Sequence, residues 1–177
     1  LKCIRILTVT EKEKQELLEK YKKGELKASD RYKIPPQEMP AQDGVKRRSN
    51  VSEVATGYTE TQARLEAMRC LQCKNAPCVE GCPVRIKIKE FIAAIAQGDY
   101  KKALAIIKEN SLLPAVCGRV CPQEVQCQEK CTVGLKFKDV GKAVSIGRLE
   151  RFAANQDGGN DSVPAGAAQT GMKGAII

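Results

Sequence analysis

Cys70-Leu-Gln-Cys73-Lys-Asn-Ala-Pro-Cys78-Val-Glu-Gly-Cys82-Pro83 is the stretch that decides the fold of this chain. A second run begins 35 residues after Cys82 and reads Cys117-Gly-Arg-Val-Cys121-Pro122-Gln-Glu-Val-Gln-Cys127-Gln-Glu-Lys-Cys131. The spacings are C-x2-C-x4-C-x3-C-P and C-x3-C-P-x4-C-x3-C. Aromatic residues make up only 4% of the 177 residues, and Trp is absent, so the apolar core is thin. We therefore expect these cysteines to hold the fold together through bound metal.

The number of cysteines also indicates the cellular compartment. Nine cysteines are present, and the ninth, Cys3, stands apart as a predicted spectator thiol. An odd number argues against a closed disulfide framework, and the stretch 4–9 is too short and too polar for a signal peptide. In a reducing cytosol such a pattern indicates metal ligation or redox chemistry. We predict a cytoplasmic protein with no membrane partner.

Iron–sulfur clusters suit this spacing better than zinc does. A cubane has four irons that each need one outer ligand, and in two-cluster ferredoxins the fourth cysteine of a C-x2-C-x2-C-x3-C-P run serves the other cluster. The first run has two more residues in its middle gap and keeps the final Cys-Pro. The alternative is a zinc-binding interaction module, but only one true C-x2-C pair is present and His is absent. Spacing alone favours two 4Fe–4S clusters with four cysteines each.

The rest of the chain predicts an all-α fold, a small helical domain with cysteine-rich cluster-binding loops and extended or flexible tails. Apolar periodicity and capping residues predict helices over 11–23, from Thr59 toward Gln72, over 87–97, after Asp99, and over 141–154. One or two turns are expected within 123–130. We predict an N-terminal extension over 1–34 with one exposed helix, a helical double-cluster domain over 35–155, and a flexible linker over 156–177.

The formal charge of +9 limits the possible partners. The basic residues are spread along the chain, no aromatic residues interleave with them, and no nucleic-acid motif accompanies them. We therefore predict no nucleic-acid partner. Two interpretations stay open, a solvated surface or a docking face for an acidic redox partner.

Several stretches resemble one known family, the N-terminal iron–sulfur domain of the glutamate synthase small subunit. The same domain occurs in dihydropyrimidine dehydrogenase and in the large subunit of NADH-dependent ferredoxin:NADP oxidoreductase. The resemblance covers about 35–155. Its motifs are Glu53-Val-Ala-Thr-Gly-Tyr-Thr59, Arg69-Cys-Leu-Gln-Cys-Lys-Asn-Ala-Pro-Cys78, Gly81-Cys-Pro-Val84, Leu113-Pro-Ala-Val-Cys-Gly-Arg-Val-Cys-Pro-Gln-Glu124 and Ser145-Ile-Gly-Arg-Leu-Glu-Arg-Phe152.

The resemblance implies a ligand set for each cluster. The expected ligands of one cluster are Cys70, Cys73, Cys78 and Cys131. The expected ligands of the other are Cys82, Cys121, Cys127 and Glu150. Cys117 matches a cysteine that the family leaves unused. The alternative for Glu150 is an exposed helix glutamate between Arg148 and Arg151.

The resemblance also implies an electron-transfer function within a longer oxidoreductase. In this family the iron–sulfur domain precedes a module that binds FAD and NADPH, and residues 172–177 resemble the first strand of that module. The expected parent is an NADPH-dependent glutamate synthase-type enzyme, and the 177 residues alone hold no complete active site. Expected partners are the flavin domain of the same chain and a large amidotransferase/synthase subunit or a ferredoxin-like acidic protein. A pyrimidine-reducing or electron-bifurcating parent stays open as an alternative.

Overall fold

The structure, a computed structural model, describes residues 10–156. Within this range the regular structure is helical, and the one β-bridge joins Ala41 to Ala55. The predicted all-α class is therefore confirmed. The helices are α1 (Glu11–Lys22), α2 (Ala28–Arg31), α3 (Glu60–Met68), α4 (Pro77–Glu80), α5 (Ile88–Gln97), α6 (Tyr100–Lys108), α7 (Pro114–Val120), α8 (Thr132–Phe137) and α9 (Ile146–Asn155). Short 3-10 turns cover Lys46–Ser49, Gln123–Val125 and Val140–Lys142.

Helix α5 forms the centre of the core and packs against α3, α6 and α9. Its predicted apolar face is confirmed, because all four of its members are at most 2% exposed: Ile88, Phe91, Ile92 and Ile95. The helix ends at Gly98, whose φ of 89° is left-handed. Asp99 then caps α6 by accepting a 3.0 Å hydrogen bond from the backbone N–H of Lys102, as predicted.

Helix α3 begins as predicted and ends earlier than predicted. Its capping box between Thr59 and Gln62 is formed. The prediction that it continues toward Gln72 is wrong, since the last helical residue is Met68. A residue outside the helix explains the early end. The Arg31 guanidinium donates hydrogen bonds to the carbonyl oxygens of Met68 and Cys70, at 3.2 and 2.6 Å, and the chain then turns away.

A buried ion pair joins α3 to the segment before α9. Glu66 and Arg69 are 0% and 2% exposed, and their side chains pair directly. The Glu66 carboxylate also accepts from the backbone N–H groups of Gln37 and Ser145, both at 2.8 Å. These bonds place Ser145 at the start of α9, so the predicted helix over 141–154 begins only at Ile146.

The N-terminal part packs onto the same core. Helix α1 carries the predicted capping box and is mostly exposed, while Leu26 and Ile34 are buried. Within residues 10–156, no helix is both long and apolar enough to cross a membrane. Cys3, the tail over 157–177 and the strand expected at 172–177 lie outside the described residues. The domain boundaries stay predictions.

Candidate iron–sulfur centres

Four cysteines predicted as one ligand set surround a single cavity. They are Cys70, Cys73, Cys78 and Cys131, which we call the first ligand set. Cys70 follows the end of α3, Cys78 lies in α4, and Cys131 is the N-cap of α8. Apolar side chains complete the wall of the cavity, including Ile88, Ile92, Val144 and Ile146. The fold therefore brings thiols from three separate segments together in an apolar surrounding.

Left-handed backbone makes the tight loop of the first ligand set possible. Gln72 has φ 55°, and Ala76 has φ 38°, although neither residue is glycine. Such residues reverse the chain between successive thiols at a conformational cost of about 1 kcal/mol or more each. Pro77 then occupies the first turn of α4, where its missing N–H is no loss.

Polar groups reach the sulfurs of the first ligand set. The Gln72 side-chain amide donates to the Cys70 sulfur at 3.4 Å, and the Cys73 thiol lies 3.2 Å from the Thr132 hydroxyl oxygen. Burial raises the pKa of Cys70 to about 11 and that of Cys78 to about 12, and neighbouring cysteines add to both shifts. Thiolates in this site therefore need a compensating positive charge, which iron supplies.

The second predicted set lies where the two cysteine runs meet α9. Burial is the main cause that raises the pKa of Cys127 to about 12, and Cys82 and Glu150 contribute to that shift. The pKa of Cys121 rises to about 11 for the same main reason, with contributions from Cys117, Glu150 and Cys82. Cys82 and Glu150 therefore both act on Cys121 and Cys127, and we call Cys82, Cys121, Cys127 and Glu150 the second ligand set.

Two glycines allow the close backbone approaches behind the second ligand set. A Cβ on Gly81 would lie 2.6 Å from the carbonyl oxygen of Gln126, so the residues before Cys82 and Cys127 touch. A Cβ on Gly118 would lie 2.6 Å from the backbone nitrogen of Arg151. Helices α7 and α9 therefore pack with their backbones in contact, which brings Cys121 toward Glu150.

Glu150 is buried, contrary to the alternative of an exposed helix glutamate. Its residue surface is 6% exposed, and burial raises the pKa of its carboxyl to about 7. Its Oε1 atom is buried without a hydrogen-bond partner. A buried carboxyl oxygen without a partner costs free energy, so a ligand for it is expected. Iron bound at the second ligand set fits this requirement.

Cys117 also lies at this site. It precedes Cys121 by one turn of α7, and the two thiols interact directly. The Ser111 hydroxyl donates to the Cys117 sulfur at a distance of 3.8 Å. Cys117 and Glu150 both contribute to the raised pKa of Cys121, with Cys117 the larger contributor. The structure thus brings both candidates for the eighth ligand to the site.

The arrangement of the thiols does not favour zinc. A tetrahedral zinc ion holds its sulfur ligands at about 2.3 Å, so the four sulfurs crowd around one point. Within residues 10–156, no group of three or more Cys, Asp or Glu residues is placed to hold a single metal ion. The corners of a cubane each take one sulfur, which spreads the ligands apart. All eight cysteines in this range are free of disulfides.

Sequence reasoning missed the polar neighbours of the thiols. Arg31 reaches the backbone carbonyl of Cys70 from a segment that the cysteine spacing does not include. Thr132 directly follows Cys131 but contacts the sulfur of Cys73, 59 residues away, and Ser111 contacts the sulfur of Cys117. No periodicity or motif predicts these contacts, because only the folded chain forms them.

Comparison with known proteins agrees with this geometry. Residues 47–161 match the family described as dihydropyrimidine dehydrogenase domain II, 4Fe-4S cluster. The chain is 41% identical over 102 residues to the NAD-dependent dihydropyrimidine dehydrogenase subunit PreT of Salmonella typhimurium, covering 58% of the chain and 24% of that protein. It is 33% identical over 150 residues to the glutamate synthase (NADPH) small chain of Escherichia coli, covering 84% of the chain and 30% of that protein.

The small chain of the same name from Halomonas elongata is 33% identical over 117 residues, which is 66% of the chain and 23% of that protein. The chain therefore spans between about a quarter and a third of the length of these relatives. The match over 47–161 contains both cysteine runs and Glu150. This chain belongs to the dihydropyrimidine dehydrogenase domain II family, a 4Fe–4S electron-transfer domain that glutamate synthase small chains share.

Proposed function

We propose that the chain holds two 4Fe–4S clusters, one on the first ligand set and one on the second. The observation that supports this proposal is a cavity whose walls include all four members of the first ligand set and none of the second. The second set contains Glu150, whose buried carboxyl oxygen has no other partner. Cys117 is then a spare thiol beside the second cluster.

The two sites are neighbours, which suits a relay. Cys127 of the second set contributes to the raised pKa of Cys78 in the first. A bound 4Fe–4S cluster supplies reversible uptake of a single electron. The chain contributes burial, fixed spacing between the sites and hydrogen bonds to the sulfurs. These factors set the reduction potential.

We further propose the place of this relay in its parent protein. A flavin that has taken a hydride from NADPH holds an electron pair, and the two electrons leave it one at a time. The relay passes each electron from the FAD- and NAD(P)H-binding part of the parent to a synthase subunit or to an acidic, ferredoxin-like carrier. The net charge of +9 favours an acidic partner. The free thiols favour a reducing compartment, the cytoplasm.

Cluster content and the eighth ligand are tested together. Anaerobic reconstitution of the wild-type chain should load about eight irons and eight sulfides, as two cubanes require. Cys117→Ser should keep this content and leave the low-temperature EPR spectrum of the reduced state unchanged. Glu150→Ala should alter or remove one of the two signals. Glu124→Ala, which removes an exposed glutamate from the same cysteine run, is the matched control.

Three outcomes contradict the proposal. A plateau near four irons in the wild type rejects two clusters. Stoichiometric zinc after iron-replete expression favours the interaction module instead. Loss of a signal in Cys117→Ser, with no effect of Glu150→Ala, makes Cys117 the eighth ligand.

A further inference from the structure

One cation touches the first ligand set through the protein backbone. Arg31 ends α2, and its Nη1 donates to the carbonyl oxygen of Cys70 at 2.6 Å and to that of Met68 at 3.2 Å. The same guanidinium lies 5.3 Å from the ring centroid of Tyr21. The cation is therefore held from two sides, by carbonyl oxygens at the end of α3 and by an aromatic ring of α1.

The position of Arg31 affects Cys70 in two ways. Its hydrogen bond fixes the peptide that follows the Cys70 α-carbon, and a fixed peptide limits where the sulfur can lie. Its charge also lies close to the site, because Nη1 is 2.6 Å from the carbonyl oxygen of Cys70 itself. Lys89 also lines the cavity, but its ammonium group lies toward Glu90, 3.9 Å from that carboxylate.

Arg31 lies N-terminal to residues 47–161, which match the family, although the 150-residue match to the Escherichia coli small chain includes it. The family match begins at residue 47, whereas Arg31 lies in the segment that leads from α1 into the core. The second ligand set has a different electrostatic surrounding, with the Glu150 carboxyl buried at it. The two sites therefore differ in charge although both are rich in thiols.

We propose that Arg31 is a positioning residue for Cys70 whose charge raises the reduction potential of the cluster on the first ligand set. This inference rests on the proposed function, since it needs a cluster at that site. Reduction adds one electron, and a nearby cation stabilises the added negative charge. Arg31 thus makes the first site easier to reduce than its thiols alone would make it. The hydrogen bond to the Cys70 carbonyl holds the cation at a fixed distance.

The test is a potentiometric titration of the reconstituted full chain, followed by low-temperature EPR. Three variants are compared with the wild type. Arg31→Gln removes the charge, and Arg31→Lys keeps it. Arg64→Gln is the matched control. Arg64 donates a hydrogen bond to the carbonyl oxygen of Ala96, and Ala96 lies near the C-terminal end of α5, away from the first ligand set. The signal of the first cluster is the one that stays unchanged in Glu150→Ala.

Arg31→Gln should lower the ratio of reduced to oxidised first cluster about tenfold at the wild-type midpoint, by Coulomb interaction over a few ångströms. A tenfold change corresponds to about 59 mV for one electron. Arg31→Lys and Arg64→Gln should change the ratio by less than about threefold, and the second cluster should change little in all three variants. Iron content should stay near eight.

The proposal is overturned by an unchanged potential in Arg31→Gln, by equal shifts of both clusters, or by an equal fall in Arg31→Lys. If Arg31→Gln does not fold, Arg31→Lys still decides, since a large fall despite a retained charge rejects the proposal. These failures differ from failure of the proposed function. In that case the wild-type chain itself lacks two clusters.

Discussion

Gly118→Ala tests the claim that the α7–α9 contact builds the second ligand set. The new Cβ would lie 2.6 Å from the Arg151 backbone nitrogen and 2.9 Å from its α-carbon, whereas ordinary contact begins at 3.4 Å. The helices must therefore separate by about 0.8 Å, the difference between 3.4 and 2.6 Å. Overpacking against backbone costs about 3 kcal/mol, and the better helix propensity of alanine returns about 1 kcal/mol.

The expected net loss of stability is about 2 kcal/mol, measured by urea unfolding of the reconstituted chain. The larger effect concerns the site, because Cys121 lies on α7 and Glu150 on α9. Ligand sites tolerate displacements of about 0.5 Å. Iron content should therefore fall from about eight toward about four per chain, with one EPR signal retained.

Gly44→Ala is the matched control, since nothing lies within 4 Å of a Cβ at Gly44 and its φ is not left-handed. It should keep the iron content and the stability of the wild type. Eight irons and an unchanged spectrum in Gly118→Ala would refute the role of this helix contact.

Three further predictions follow from the same geometry. Glu66→Gln should lower the free energy of unfolding by about 2–4 kcal/mol, because it leaves the buried Arg69 guanidinium without its counter-charge. The control is Glu60→Gln, on the exposed side of α3. Equally small effects of the two substitutions would contradict this reason. Removal of iron by a chelator should collapse the amide dispersion of residues 70–135 in NMR spectra, since the clusters join segments with few large apolar side chains near the ligands; equal dispersion with and without iron speaks against this. Iron loading against a competing chelator should increase from pH 6.5 to pH 8.5, because burial raises the pKa of Cys70 to about 11 and of Cys127 to about 12, so that binding must release protons. Loading that does not depend on pH would reject this linkage.

Local signals in the sequence located the longer helices well. The capping boxes at Thr10 and Thr59 and the apolar face of α5 all rest on residues within one or two turns of one another. Gly98 ends α5 for an equally local reason. Such features depend little on the rest of the fold, so the sequence alone predicts them.

The short helices within and beside the cysteine runs were not predicted. Pro77–Glu80 and Pro114–Val120 form helices of four and seven residues, too short to show an apolar period, and Thr132–Phe137 has six. Their ends depend on where the ligand loops meet the core. The early end of α3 at Met68 has a similar cause, because Arg31 comes from 37 residues away.

The candidate site was also predicted only where local signals sufficed. Cysteine spacing identified eight thiols and divided them equally between two clusters. The resemblance named Glu150, although the flanking Arg148 and Arg151 suggested an exposed position. Its burial follows from the close approach of α7 at Gly118, which no local pattern reveals. The assignment of Glu150 as a ligand stays a prediction.

The buried pair of Glu66 and Arg69 also limits how early the core can close while the chain is being synthesised. Arg69 bonds the Lys142 and Ala143 carbonyls, and Glu66 bonds the Ser145 N–H, across 73 to 79 residues of chain. At a translation rate of about 5–20 residues per second, α3 waits on the order of 4 to 16 s for these partners. During that time the cysteines of both runs emerge while the core is still open. Delivery of iron and sulfide in this interval would meet accessible thiols, whereas delivery after closure would need the chain to open again.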